Sequence, residues 1–190
     1  VKRVTGSFFS KFIQLLCIPL LANDILRKIR YSLDLKDKDM LQIFQAQQQE
    51  SQEIKLYTLL KKEDEQGFVL CSQSLLNTFL DGLIIFYRGS LNKPSVPAPE
   101  VLSNNDVLRK IRIALIYQER DMLEVFKLSG MEISKSELSS FFRKKGHKHY
   151  KECGDQFLRH FLQGLSLYKK RPVNRETVSR TEKVWVKREK

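Results

Sequence analysis

Residues 105–126 read NDVLRKIRIALIYQERDMLEVF, and residues 23–44 read NDILRKIRYSLDLKDKDMLQIF. The second stretch lies 82 positions before the first, and no gap is needed to align them. Extending the offset outward pairs Cys71 with Cys153, Phe79-Leu80 with Phe161-Leu162, and Gly82-Leu83 with Gly164-Leu165. About a third of the paired positions are identical, and most of the others exchange one apolar residue for another. A spacing this long exceeds solenoid periods, so it marks two copies of one small domain. Units of about 65 residues bury modest cores and are marginal alone, which predicts that the copies pack together.

The apolar spacing within each copy is helical. Ile25, Leu26, Ile29 and Leu33 share one face of a helix expected over 24–33, with Asn23 as its N-cap. Asp37 is expected to cap a second helix bearing Met40, Leu41, Ile43 and Phe44. A third is expected to open at Ser51 or Gln52 and to carry Ile54, Leu56, Leu59 and Leu60. The longest, over 72–87, presents Leu75, Leu76, Phe79, Leu80, Leu83 and Ile84. The second copy repeats this order, with a capping box Ser134/Glu137 on its third helix and Asp155 capping its last, over 155–168. Alternating β-branched runs are absent, so the expected class is all-α. Two tandem homologous domains of about four helices each are expected to pack with pseudo-twofold symmetry.

The expected organisation is an N-terminal extension (1–21), repeat 1 (22–88), a linker (89–103), repeat 2 (104–168) and a basic tail (169–190). The linker, GSLNKPSVPAPEVLS, holds three prolines, which exclude a helix through it. The extension contains FFSKFIQLLCIPLL behind Lys2 and Arg3, which superficially suits an export signal. Lys11 interrupts it, and the apolar run falls short of the roughly 20 residues of a spanning helix. The tail lacks a helical stripe and is expected to be solvated, either as a binding arm or for solubility alone.

Charge is distributed unevenly. The chain carries 34 basic and 22 acidic residues, a formal net charge of +12. Residues 22–89 contain 9 basic against 10 acidic, residues 104–168 contain 12 against 8, and residues 169–190 contain 9 against 3. A positive balance concentrated toward the C-terminus points to an anionic partner, with nucleic acid foremost. Cys71 and Cys153 occupy one repeat position, which reads as a small core slot and reduced thiols, and so as a cytoplasmic protein.

With both copies in view, the chain resembles the YehS-like family, bacterial proteins of unknown function built from two tandem copies of one helical domain. The likeness rests on NDILRKIRYSLDL, GFVLCSQSLLNTFLDGLIIFYRG, PAPE, NNDVLRKIRIAL and KSELSSFFRKKGHKHYKECGDQFLRHFLQGL. It spans residues 22–168 and implies a small cytoplasmic protein, but it carries over no catalytic or binding residue. The leader and tail extend beyond the pattern of that family.

Three constellations are candidates for chemistry. Residues 121–129, a turn at 130–133 and a second helix over 134–144 form a helix-turn-helix-like pattern. It is expected to present Lys135, Ser136, Ser139, Arg143 and Lys144 to phosphates and base edges; plain helix packing accounts for the same pattern. The following segment adds Lys145, His147, Lys148, His149 and Lys151, whose counterparts at residues 61–69 read KKEDEQGFV. One duplicated position has therefore turned cationic while its twin has not. Clustered cations neutralise phosphates and Tyr150 is placed to stack, although its twin Phe68 favours a core role for it. Against this stands a solvated inter-helix loop. His147, His149, Cys153 and Asp155 lack a standard zinc spacing, and Cys153 and Asp155 read more simply as core and cap.

No phosphate loop, catalytic triad or paired-carboxylate motif is present, so neither enzymatic activity nor a cofactor is expected. Asp39 and Asp121 read as helix-start acids. The repeated arginines Arg27/Arg109 and Arg30/Arg112 read either as local ion-pair partners or as a symmetric cationic ridge. The expected function is binding of RNA or DNA through the basic second repeat; the alternative is a protein-interaction module with a groove between the repeats.

Overall fold

The computed structural model describes residues 20–46, 55–89 and 102–170. Eight helices occur among the described residues, and no strand. In repeat 1 these are α1 (Ala22–Ser32), α2 (Asp37–Gln45), α3 (Leu56–Leu59) and α4 (Gln73–Arg88). In repeat 2 they are α5 (Asn104–Leu115), α6 (Glu119–Leu128), α7 (Lys135–Phe141) and α8 (Asp155–Lys169). The all-α tandem architecture is as the sequence predicts. Residues 47–54, where the third helix was expected to open, lie outside the described residues, as do the extension up to residue 19 and the tail beyond 170.

The apolar stripes assemble into one continuous core. The partners are exchanged between repeats: α4 packs against its own α2 and against α5 of the other repeat, while α8 packs against its own α6 and against α1. Each repeat therefore completes its core with the first helix of its twin, as pseudo-twofold symmetry requires. Ser32 Oγ donates to Leu162 O at 3.3 Å across the α1–α8 crossing. Lys110 reaches Asn77 and Asp81 across the α4–α5 crossing.

The second and last helices approach most closely where each last helix carries its repeated glycine. A Cβ on Gly82 would lie 1.9 Å from Ile43 O, and one on Gly164 would lie 1.8 Å from Val125 O. With backbone against backbone, the flanking rings meet tilted at about 50° in both repeats. Phe44–Phe79 and its twin Phe126–Phe161 have centroids 5.1 and 5.5 Å apart.

Several expected caps are corrected by the structure. Leu21, not Asn23, occupies the N-cap position of α1, and Asn23 is buried in the first turn. Its amide donates to Leu59 O at 3.0 Å and Val69 O at 2.8 Å, and its Oδ1 accepts from Cys71 N at 2.8 Å. Asn105 makes the same three bonds, to Phe141 O, Lys151 O and Cys153 N, each at 2.9 Å. A cap satisfies its own helix; these side chains instead fasten the loop before the last helix to the first helix.

Lys36, not Asp37, is the N-cap of α2, and Asp39 accepts from its backbone N–H at 2.9 Å; Asp121 does the same for Gln118 at 2.8 Å. Gly154, not Asp155, caps α8. The Asp155 carboxylate instead accepts from Leu20 N at 2.9 Å and Asn104 Nδ2 at 2.7 Å, which ties α8 to the chain entering both repeats. In the Ser134/Glu137 box only one half forms: Ser134 Oγ accepts from Glu137 N at 3.1 Å, and the Glu137 side chain turns to Lys151.

Candidate nucleic-acid interface

Gly130, at φ +79°, takes the left-handed turn expected between α6 and α7. The second helix ends at Phe141 rather than at residue 144. Only two turns are left to present Lys135, Ser136 and Ser139, which are exposed. Arg143 and Lys144 therefore belong to the following loop. Lys135 lies 3.5 Å from Glu119, and Ser136 Oγ lies 3.0 Å from Ser134 Oγ.

The basic loop shares three backbone bonds with the loop of the first repeat, while the left-handed residue moves from Gly67 there to Gly146 here. His147 N donates to Lys144 O at 3.0 Å, Tyr150 N to His147 O at 2.8 Å and Lys151 N to Ser140 O at 3.3 Å. Their twins are Glu65 N to Lys62 O at 3.0 Å, Phe68 N to Glu65 O at 3.0 Å and Val69 N to Thr58 O at 3.3 Å. Loops closed by the same backbone bonds thus carry acidic residues in one repeat and cations in the other.

The cations are not equivalent. Lys151 pairs with Glu137, and Arg143 is half-buried with Nη1 3.5 Å from His147 Nε2. His147 Nδ1 accepts from His149 N at 3.1 Å, and the two rings lie 5.7 Å apart. Lys144, Lys145 and Lys148 are exposed and have no acidic partner within ion-pair distance among the described residues. Tyr150 is half-buried, between the stacking and core roles. No group of three or more His, Cys, Asp or Glu converges on a point among the described residues.

The repeated arginines act mainly as loop clamps. Arg27 bonds to Asp24 and Lys61 O, and Arg30 reaches Leu35 O at 3.3 Å and Asp37 at 2.6 Å. Arg109 reaches Asp106 at 3.3 Å and Phe142 O at 3.2 Å, and Arg112 Nε donates to Tyr117 O at 3.2 Å. The identical Arg-Lys-Ile-Arg run in both copies signalled a shared task, but nothing in it named distant carbonyls as the targets.

Both repeated thiols are buried in the core. Burial pushes the Cys71 thiol up to about 11; burial, and then the Asp155 charge, push Cys153 up to about 12. A buried neutral thiol is a poor nucleophile. In a Cys17→Ser background, native protein should label with a thiol reagent only as fast as it opens, and rapidly in urea. The raised values also set a pH dependence. Their stabilisation is complete below the unfolded thiol value near 8.5 and is lost as pH climbs toward the folded values. Cys153→Ala should therefore cost more stability at pH 8 than at pH 10.5 in urea melts; an equal cost at both would contradict this.

The family model for a protein of unknown function, DUF1456, matches the chain twice, over residues 22–89 and 104–171. The uncharacterized protein YehS of Escherichia coli (strain K12) is 38% identical over 148 residues, covering 77% of this chain and 95% of that protein. No solved structure matches. No described helix is long and apolar enough to cross a membrane.

Proposed function

The chain belongs to the DUF1456 family, and within it we propose that this protein binds nucleic acid through the cationic loop of its second repeat. The observation that carries the reading is the loop pair: with the same backbone bonds closing both loops, Lys145 and His147 stand where repeat 1 has Glu63 and Glu65, and Lys148 replaces the neutral Gln66. A loop shaped only by packing has no need of that exchange. Lys144, Lys145 and Lys148 are the phosphate contacts, because no acid answers them among the described residues. Ser136 and Ser139, exposed on the preceding α7, are the hydroxyl donors of the reading.

The test is a salt titration of the full chain with short RNA and duplex DNA. Replacing Lys144, Lys145 and Lys148 with Gln should weaken binding at least tenfold at about 0.15 M salt. It should also lower the log–log salt slope by about 3, close to one per phosphate contact removed. Unchanged affinity in the triple variant, or binding that vanishes only when residues 171–190 are removed, refutes the assignment to the folded repeat.

A specific observation also supports the protein-partner reading, but at another place. Tyr57 (64% exposed) and Leu70 (63% exposed) present apolar surface on repeat 1, whereas the crossings between repeats are filled by core side chains. A partner helix would dock there, with little salt dependence, and Tyr57→Ser with Leu70→Ser would abolish it.

A further inference from the structure

The clamp arginines also line two pockets that are twins under the 82-residue offset. The first, about 630 Å³, is lined by Arg27, Arg30, Tyr31, Asp34, Lys36 and Lys170, among others. The second, about 340 Å³, is lined by Arg109, Arg112, Ile113, Ile116, Gln118 and Arg88, among others. Arg88 and Lys170 are twins themselves, and each sits in the pocket of the opposite repeat. This placement follows from the exchanged packing, because each last helix ends beside the first helix of its partner.

The lining chemistry has diverged. In the first pocket every cation has a partner: Arg27 pairs with Asp24, beside the lining, and the others are answered in it or at its edge. Arg30 pairs with Asp37 at 2.6 Å, Lys36 with Asp34 at 2.9 Å, and Lys170 lies over the Tyr31 ring at 4.3 Å while bonding its hydroxyl. In the second pocket Tyr31 has become Ile113, Asp34 has become Ile116 and Lys36 has become Gln118. Glu119, the counterpart of Asp37, lies against Lys135 at 3.5 Å instead of pairing with Arg112.

Three arginines thus converge on a pocket whose lining contains no acid. Arg109 spends one bond of each terminal nitrogen on the protein, Nη1 on Asp106 and Nη2 on Phe142 O, and keeps its remaining N–H groups. Arg112 lies 4.7 Å over the Phe142 ring, and among the described residues its Nε alone donates a hydrogen bond. Arg88 is exposed and has no acceptor among the described residues.

We propose that this second pocket binds a phosphomonoester, its head held by Arg88, Arg112 and Arg109 and its organic part resting on Ile113 and Ile116. Planar guanidinium forks suit a tetrahedral oxyanion with several acceptors. The volume fits a small ligand rather than a groove for a polymer. The carrier is a free small molecule; the terminal phosphate of an oligonucleotide presents the same chemistry, and the experiment separates the two. The proposal is independent of the cationic loop.

The test maps amide chemical shifts of the full chain on titration with inorganic phosphate, ribose 5-phosphate and a dinucleotide with or without a 5′-phosphate, at constant ionic strength in chloride. Shifts should gather at residues 88, 112, 113 and 116. Arg88→Gln, which removes no side-chain hydrogen bond or ion pair formed among the described residues, should weaken ribose 5-phosphate at least tenfold, and Arg88→Lys less. Lys170→Gln, in the twin pocket, should leave the affinity unchanged. Saturation by the dinucleotide only, and only with its 5′-phosphate, assigns the oligonucleotide end as the source and overturns the free-metabolite assignment. Equal affinity in Arg88→Gln, or equal loss in Lys170→Gln, overturns the pocket itself. Gln at 144, 145 and 148 should leave phosphate binding intact, and Arg88→Gln should leave the loop's nucleic-acid affinity intact, so either reading can fail alone.

Discussion

Gly164→Ala should cost the protein at least about 3 kcal/mol of folding stability, and Gly82→Ala should do the same from the other repeat. Helix propensity alone predicts the opposite sign, since alanine inside a helix is favoured over glycine by about 1 kcal/mol. The close approach decides against it. The added carbon on Gly164 would lie 1.8 Å from Val125 O, a backbone atom that no rotamer change can move aside. To accept it, α8 and α6 must separate by more than 1 Å, opening the Phe126–Phe161 contact and the core around it. Against a typical stability of about 5–15 kcal/mol the loss is large. Urea denaturation of the two variants measures it, with Ser166→Ala on the same helix as the control for propensity. A midpoint unchanged or raised in Gly164→Ala would show that the helices do not touch there.

Asn105→Ala should have the next largest effect, about 3 kcal/mol, and Asn105→Asp a larger one. The alanine leaves two carbonyls and the Cys153 N–H without their partner in a buried site, each group worth about 1 kcal/mol or more when unmet. The aspartate keeps the size and the bond from Cys153 N. It replaces the amide donor with an oxygen facing Phe141 O and Lys151 O, and so adds repulsion and a buried charge. Because the fastened loop carries the candidate cations, hydrogen exchange over residues 142–152 should accelerate in both variants. The order of the two variants is the sharper check, and a milder Asn105→Asp would sink this account.

The fold was legible because its evidence is periodic and written twice. Ile25, Leu26 and Ile29 on one face, with Val107, Leu108 and Ile111 repeating them, needed no tertiary knowledge. Helix ends were read less well. Asn23 and Asp155 have the chemistry of caps and sit where caps belong, but each is engaged by partners distant in sequence, and a local rule cannot see a carbonyl 46 residues away. The cations of the loop were legible as charge; which of them are already answered was not, because Glu137 reaches Lys151 only once α7 and the loop fold together. Arg88 and Lys170 went unremarked for a similar reason. Each ends its helix inconspicuously, and only the exchange of helices carries it into the pocket of the other repeat.

That exchange bears on how the two halves came to differ. Two separate single-repeat chains would make these same crossings as a closed, isologous dimer, with every residue meeting its partner twice. In such a dimer any substitution appears in both halves, so a favourable change at one surface is imposed on the other. A covalent link removes that constraint and replaces bimolecular association with an effective concentration in the millimolar range. One half is then free to keep Asp34, Tyr31 and an acidic loop while the other acquires Ile116, Ile113 and lysines. Fusion lets a symmetric scaffold hold two different surfaces.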